Sequence, residues 1–494
     1  MKIWYFLIVG LVVFLTCICY LNYPLAYNQG LYHYQGLVMK TGGIPYTDFI
    51  EKKGPMGLLF YSLGALLFGP SPFAYRLFDL LVQATSAFFL YRILKKKATG
   101  FVSLIVPFIW FSHTIVEGPE NTADVTNIIT LCLVTSYYLL VEWQPKNDWL
   151  VGMLMAAACW VKPTAVIMFL PVWHIVSVNH AGQSSIKEVY QSILKVLMGG
   201  VGVSIGFVAY LLITDSWQGF WEAVVLDPLL NYVDDRSRIG LRLIQKLGIY
   251  VIDDPSIRFI GSIGLLLAIK KRYVRIALLF FTCIFLSIIV EGKYFPYHFT
   301  PLWPFAAIGL FSLIEAVKER MNRKILVQGA VVILLLILPL LPVGLKFIQA
   351  GFFLPGVATD ESKLFRLPDI VDLHNGRKPA IAFLKKEMTS EETIYAIAID
   401  PNIYIDLNKT STCRSIRDGV LFTVGMHPVD PPPHLAKWEE EIIDHIESKP
   451  DWLMIDNKLP GGELTEEYAD RINAVLTGYG TGVAKGRYTL YRKL

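Results

Sequence analysis

The chain has 494 residues, of which 54% are hydrophobic and only 17% charged, with a formal net charge of +4. Its many long, charge-free runs reach the roughly 20 residues that one bilayer-crossing helix needs, which excludes a soluble protein. The small net charge carries little information about partners, and nucleic acid is not expected among them.

Taken in chain order, apolar helices are expected near 3–22, 72–94, 101–116, 122–142, 149–161, 163–178, 192–214, 256–270, 274–291, 300–317 and 324–348, about eleven spans. Residues 1–22 carry one basic residue, Lys2, and Ala26-Tyr27 is a poor cleavage site, so an uncleaved first span is expected. Residues 56–69 are short and read as a surface or re-entrant helix. The stretch 149–178 is kept as two spans broken at Lys162-Pro163, because merging them spoils the orientation. Lys95-Lys96-Lys97, Lys146, Lys187, Lys270-Lys271-Arg272 and Lys318 through Lys324 then fall on one side, with 215–255 and 291–298 on the other. The rule that basic loops stay inside puts the N-terminus in the cytoplasm of a multi-pass protein of the cytoplasmic (inner) membrane.

Near residue 350 the charge density rises and long apolar runs stop. Helix and strand patterns then alternate: helix at 378–388, strand at 393–399, helix at 434–449, strand at 452–456, helix at 464–476 and strand at 487–492. The expected fold is a polytopic α-helical membrane domain, 1–348, followed by an extracytoplasmic α/β domain, 349–494. Asp400 and Asp456 sit at strand ends with no evident partner, which suits a structural cap or binding surface better than chemistry. Of the six cysteines, five lie in apolar spans, where a thiol acts as a small hydrophobe, so no disulfide framework is expected.

Chemistry concentrates in the stretch from Asn28 to Pro55, read as a polar, aromatic, Gly/Pro-rich loop after the first span. Four segments in order resemble the GT-C superfamily of membrane glycosyltransferases, in its protein-O-mannosyltransferase and aminoarabinose-transferase-like (glycosyltransferase family 39-like) branch. They are Gly42…Pro45-Tyr46-Thr47-Asp48 with Lys53-Gly54-Pro55; Phe68-Gly69-Pro70-Ser71 with Arg76; Gly152 through Lys162-Pro163-Thr164; and Tyr294 through Phe299 with Pro301 and Pro304. The resemblance implies transfer of a sugar, with inversion, from a polyprenyl-phosphate carrier on the outer face to a cell-envelope lipid, glycan or protein. It also implies a carboxylate in the first loop as general base.

One position departs from that pattern. Family members usually begin this loop with Asp-Glu-Gly-x-Tyr, whereas this chain has Asn28-Gln29-Gly30-Leu31-Tyr32. An amide does not take a proton at neutral pH, so neither residue serves as a general base. Asp48 or Glu51 supplies the base instead, or the acceptor needs little deprotonation, or the protein binds the lipid-linked sugar without turning it over.

Each candidate also has a plainer reading. Asp48 and Asp124 are the candidate proton acceptors, with Asn28 beside them; Asp48 equally suits a turn and Asp124 a helix start. Lys53, Arg76 and Lys162 are candidate phosphate cations, against snorkelling for Lys53 and a structural pair with Asp79 for Arg76. Gln29, Tyr32, Tyr46, Glu120, Tyr297 and His298 complete the expected substrate-binding set. Asp227, Asn231, Tyr232, Asp234 and Asp235 belong to the large 215–255 loop, where paired acids are usually solvated. No Asp-x-Asp pair suggests a metal, and no cofactor is expected. A lipid-linked-sugar transporter would need broken or charged helices at midplane, whereas the polar residues here gather at the outer ends.

Overall fold

The computed structural model describes residues 14, 17–18, 20–21, 23, 25–69, 71–97, 102–116, 122–142, 147–180, 186–231, 243–245, 247–248, 255–292, 294–320, 368–398, 400–411, 413–414, 433–448, 450–457 and 466–494. Most of the expected spans at 3–22 and all of 324–348 lie outside the described residues, as do Glu120, Tyr232, Asp234 and Asp235.

Among the described residues, the membrane part is mostly helical. It runs α1 (Tyr27–Lys40), α2 (Pro55–Phe68), α3 (Pro72–Lys95), α4 (Val102–Val116), α5 (Thr126–Glu142), α6 (Asp148–Val161), α7 (Phe169–His180), α8 (Ile186–Ile213), α9 (Ser262–Leu267), α10 (Arg272–Glu291) and α11 (Trp303–Arg320). Tight 3₁₀ turns at Pro163–Met168 and Pro296–Leu302 precede α7 and α11. Among the described residues, four helices are long and apolar enough to cross a membrane: Pro72–Lys95, Lys187–Ile213, Arg272–Glu291 and Pro296–Glu319. Shorter apolar helices pack among them. α8 turns Val201, Ile205, Leu212 and Ile213 outward, an apolar face suited to lipid rather than water. Just beyond it Trp217 and Trp221 stack on one another, half-exposed, as aromatic residues do at a bilayer interface.

Two local expectations change. Residues 28–55 are not a loop throughout: α1 occupies the first half, with every residue from Gln29 to Val38 buried. Polar and apolar residues are buried alike around it, so the apolar stripe that betrays a helix in sequence is absent. The described start of the 215–255 segment is also helical, from Trp217 through a π-helical turn at Trp221–Leu226 to Asn231. The break at Lys162-Pro163 separates α6 from its successor, since proline lacks the N–H that would continue the ladder.

The C-terminal part holds α12 (Pro368–Glu387), β1 (Ile394–Ile397), α13 (Asn402–Leu407), α14 (Pro433–Glu447), β2 (Trp452–Asp456), α15 (Glu466–Leu476), β3 (Val483–Lys485) and β4 (Tyr488–Arg492). Its sheet order is β1-β2-β4-β3, with β1 and β2 parallel and the other pairs antiparallel. Side chains alternate across the strands. Ile394 and Ala396 join a core continuous with the membrane helices, while Tyr395 and Ile397 join a separate cluster with Ile442 and Ile446 of α14. Arg377 pairs with Asp400 at 2.8 Å and Arg487 with Asp456 at 2.6 Å. Both strand-end acids thus have partners, in keeping with a structural role.

Candidate active site

The site is built around residues 122–124, the segment entering α5. Ala123 has φ 54°, the left-handed region that a residue with a side chain enters at a cost. That turn aims three successive carbonyls at three side chains. Thr122 O accepts from Gln29 Nε2 at 2.6 Å, Ala123 O from the Tyr75 hydroxyl at 2.7 Å, and Asp124 O from the Tyr61 hydroxyl at 2.9 Å. Arg76 Nη1 donates to Thr122 Oγ1 at 2.8 Å. Behind this layer, buried Asp79 accepts from Tyr20, from Tyr61 at 2.7 Å and from Asn127 at 2.8 Å. Each of these named donors therefore has an acceptor, as burial favours.

Asp124 is buried and divides its two oxygens. Oδ1 accepts the Thr126 N–H at 3.2 Å, a helix cap. Oδ2 faces α1, with Asn28 Nδ2 at 3.3 Å and the Tyr32 hydroxyl at 3.5 Å. The buried Tyr32 hydroxyl thus stands as a hydrogen-bond donor beside Asp124.

A turn links α1 to α2. Tyr46, buried with φ 67°, donates its hydroxyl to Lys53 O at 2.6 Å and packs its ring edge-on against Phe220 at 5.5 Å. Asp48 is exposed and accepts the Ile44 N–H of its own turn at 2.6 Å. Glu51 is buried, held by Gln35 Nε2 at 3.0 Å and by the Lys52 N–H at 2.9 Å. Gly54 is fixed by its surroundings: its N–H donates to Val161 O at 2.9 Å, and any Cβ there would run into the Trp160 carbonyl. Proline could satisfy neither condition.

Three lysines meet different fates. Lys52 pairs with Asp227 at 2.8 Å. Lys162 pairs with Glu291 at 2.5 Å, and that carboxylate also accepts from Thr164 at 2.6 Å and lies 3.1 Å from His298 Nδ1. Lys53 has no carboxylate partner among the described residues; its ammonium faces the Tyr297 ring at 5.9 Å. Tyr297 in turn packs edge-on against His298 at 4.6 Å. A small cavity opens beside this group, lined by Thr126, Lys162, Glu291 and His298 with apolar Ile129 and Ile284.

The structure thus gathers Asn28, Gln29, Tyr32, Arg76 and Asp124 into one hydrogen-bonded layer, and Lys53, Lys162, Tyr297 and His298 around a second. Asp48 joins neither and acts in its turn; Tyr46 points inward and holds Lys53 from behind. Glu291 was missed as a site residue because it lies 129 positions from its partner Lys162. Tyr61, Tyr75 and Thr122 gave no signal either, being ordinary residues of an apolar helix or a helix start.

A family model described as dolichyl-phosphate-mannose-protein mannosyltransferase matches residues 52–217. None of the curated proteins matches the chain. Among solved structures, ArnT from Cupriavidus metallidurans in the apo state is 10% identical, covers 99% of this chain and 98% of its own, and superposes with a TM-score of 0.62. The same protein bound to undecaprenyl phosphate is 11% identical at the same coverage, with a TM-score of 0.59. The Archaeoglobus fulgidus oligosaccharyltransferase in the apo form is 11% identical, covers 100% of this chain and 75% of its own, with a TM-score of 0.51. Identities this low speak for the fold alone, while the family model speaks for residues 52–217. Together they agree with the order of motifs in the sequence: residues 52–217 match the protein-mannosyltransferase family model, and the whole chain shares the fold of the ArnT structures.

Proposed function

We propose that this protein transfers a sugar from a polyprenyl-phosphate carrier to a hydroxyl of a cell-envelope acceptor on the outer face of the cytoplasmic membrane, with inversion. The observation that carries this reading is the Asp124 carboxylate, held 3.3 Å from Asn28 in the layer where the family's acid usually stands. Asp124 takes the acceptor's proton as the oxygen bonds to the anomeric carbon. The bond from that carbon to the carrier phosphate breaks, and the phosphate leaves with the electron pair. Lys53 is the first cation for that phosphate because, of the three lysines at the site, it alone has no carboxylate partner among the described residues. Lys162 answers to Glu291 and contributes less. Preorganised charge of this kind commonly supplies a large share of the rate.

A second reading, a lipid-sugar binding or accessory protein, is favoured by one observation: Asn28 and Gln29 stand where the usual acidic pair would. The test is incubation of the purified chain in nanodiscs with radiolabelled polyprenyl-phospho-sugars. Release of the carrier phosphate in step with acceptor labelling supports the transferase. Tight carrier binding with no release supports the binder.

A further inference from the structure

α1 has no local device to fix its start. Its N-cap is Ala26, which makes no side-chain capping bond, and its first turn holds no acid. The missing anchor comes from the C-terminal domain. Asn402 Nδ2 donates to Leu25 O at 3.1 Å, just before the helix begins, and to Asp400 Oδ1 at 2.7 Å. Arg377 Nη1 holds Asp400 Oδ2 at 2.8 Å, and its Nε holds Asp406 at 2.7 Å. Arg377, Asp400 and Asn402 are all buried.

The contact continues along the helix. A Cβ on Gly30 would stand 2.6–2.8 Å from the Asn402 amide, so only glycine admits this approach. One turn on, Tyr34 packs against Tyr404 at 5.3 Å and accepts the Ser411 N–H at 2.9 Å. Gly30 and Tyr34, four apart, share one face; Asn28 and Tyr32, also four apart, share the opposite one and meet Asp124. The second arm of the site is tied in the same way. Ile50 N donates to Arg414 O at 2.9 Å, immediately before Glu51-Lys52-Lys53, and Arg414 is forked onto Glu441 at 2.5 and 2.6 Å.

We propose that Asn402 is a positioning residue for the membrane site, fixing the height and rotation of α1 so that Asn28 meets Asp124. Its effect on catalysis rests on the transferase reading above; its effect on α1 does not. The domain therefore acts on the reaction through α1.

The experiment compares the full chain in nanodiscs with Asn402→Ala, Gly30→Ala and the double variant Gly30→Ala/Asn402→Ala. Hydrogen exchange of amides 27–34 should quicken at least tenfold in Asn402→Ala while β1, β2 and β4 keep their protection. With a labelled polyprenyl-phospho-sugar as donor, kcat should fall at least fivefold with KM for the donor within twofold. Gly30→Ala should do the same from the other side of the contact, and the double variant should be no worse than either single, because both changes act at one contact. Unchanged exchange at 27–34 in both single variants overturns the proposal, as does an additive double variant. If Asn402→Ala strips protection from the strands, Gly30→Ala decides alone. A protein that transfers nothing but shows the exchange pattern keeps the latch and loses the transferase.

Discussion

Asn28 Nδ2 meets Asp124 Oδ2 at 3.3 Å, joining two residues 96 positions apart. The amide that stands in place of an acid is thus the donor that orients the nearest buried one. Replacing Asn28 with Ala should therefore lower kcat by about tenfold, the worth of one hydrogen bond to a charged group, with KM for the donor unchanged. Asp48→Asn, confined to an exposed turn, should leave steady-state transfer within twofold.

The Lys162–Glu291 pair makes a prediction about stability. Removing one member of a buried pair typically costs about 3–5 kcal/mol, because the other charge stays behind. Lys162→Met should thus lower the melting temperature in detergent markedly. Lys162→Met with Glu291→Leu should recover most of it. Carrier binding in that double variant should fall only modestly, since Lys53 remains.

Gly54 offers a test of backbone fit. Gly54→Pro deletes the N–H bonded to Val161 and crowds the Trp160 carbonyl. Such a change should destabilise by about 3 kcal/mol, read as a shift in the denaturation midpoint, and should weaken carrier binding by displacing Lys53.

Outside the membrane, His445 lies against the Tyr395 ring at 4.7 Å, and burial lowers its pKa from 6.5. A histidine whose folded pKa lies below its unfolded one binds more protons when unfolded. It costs nothing above pH 6.5 and destabilises as pH falls below that value. Exchange protection in β1 and α14 should therefore decline between pH 7 and pH 5, and His445→Phe should flatten that decline.

Much of this architecture could be read from the residues. α3 was expected at 72–94 and spans Pro72–Lys95; the strands expected at 393–399, 452–456 and 487–492 appear as β1, β2 and β4. These elements bury an apolar run or an alternating face, the signal that hydrophobic patterning carries. α1 escaped because polar Gln29, His33 and Gln35 are buried together with its apolar residues, which erases the periodicity. α13 and β3, at six and three residues, are too short for any pattern to register. Asp124 was a candidate from its place at a helix start, but its pairing with Asn28 was not, since a hydrogen bond between distant residues leaves no local trace. Glu291 and the Asp79 hub were hidden for the same reason.

The most direct measurement follows transfer and carrier binding together in nanodiscs, for the wild-type chain and Asp124→Asn. The account predicts that both proteins bind undecaprenyl phosphate with similar affinity, while transfer from the labelled donor falls by about 100- to 10,000-fold in the variant, the usual worth of a general base. Full transfer by Asp124→Asn would contradict it.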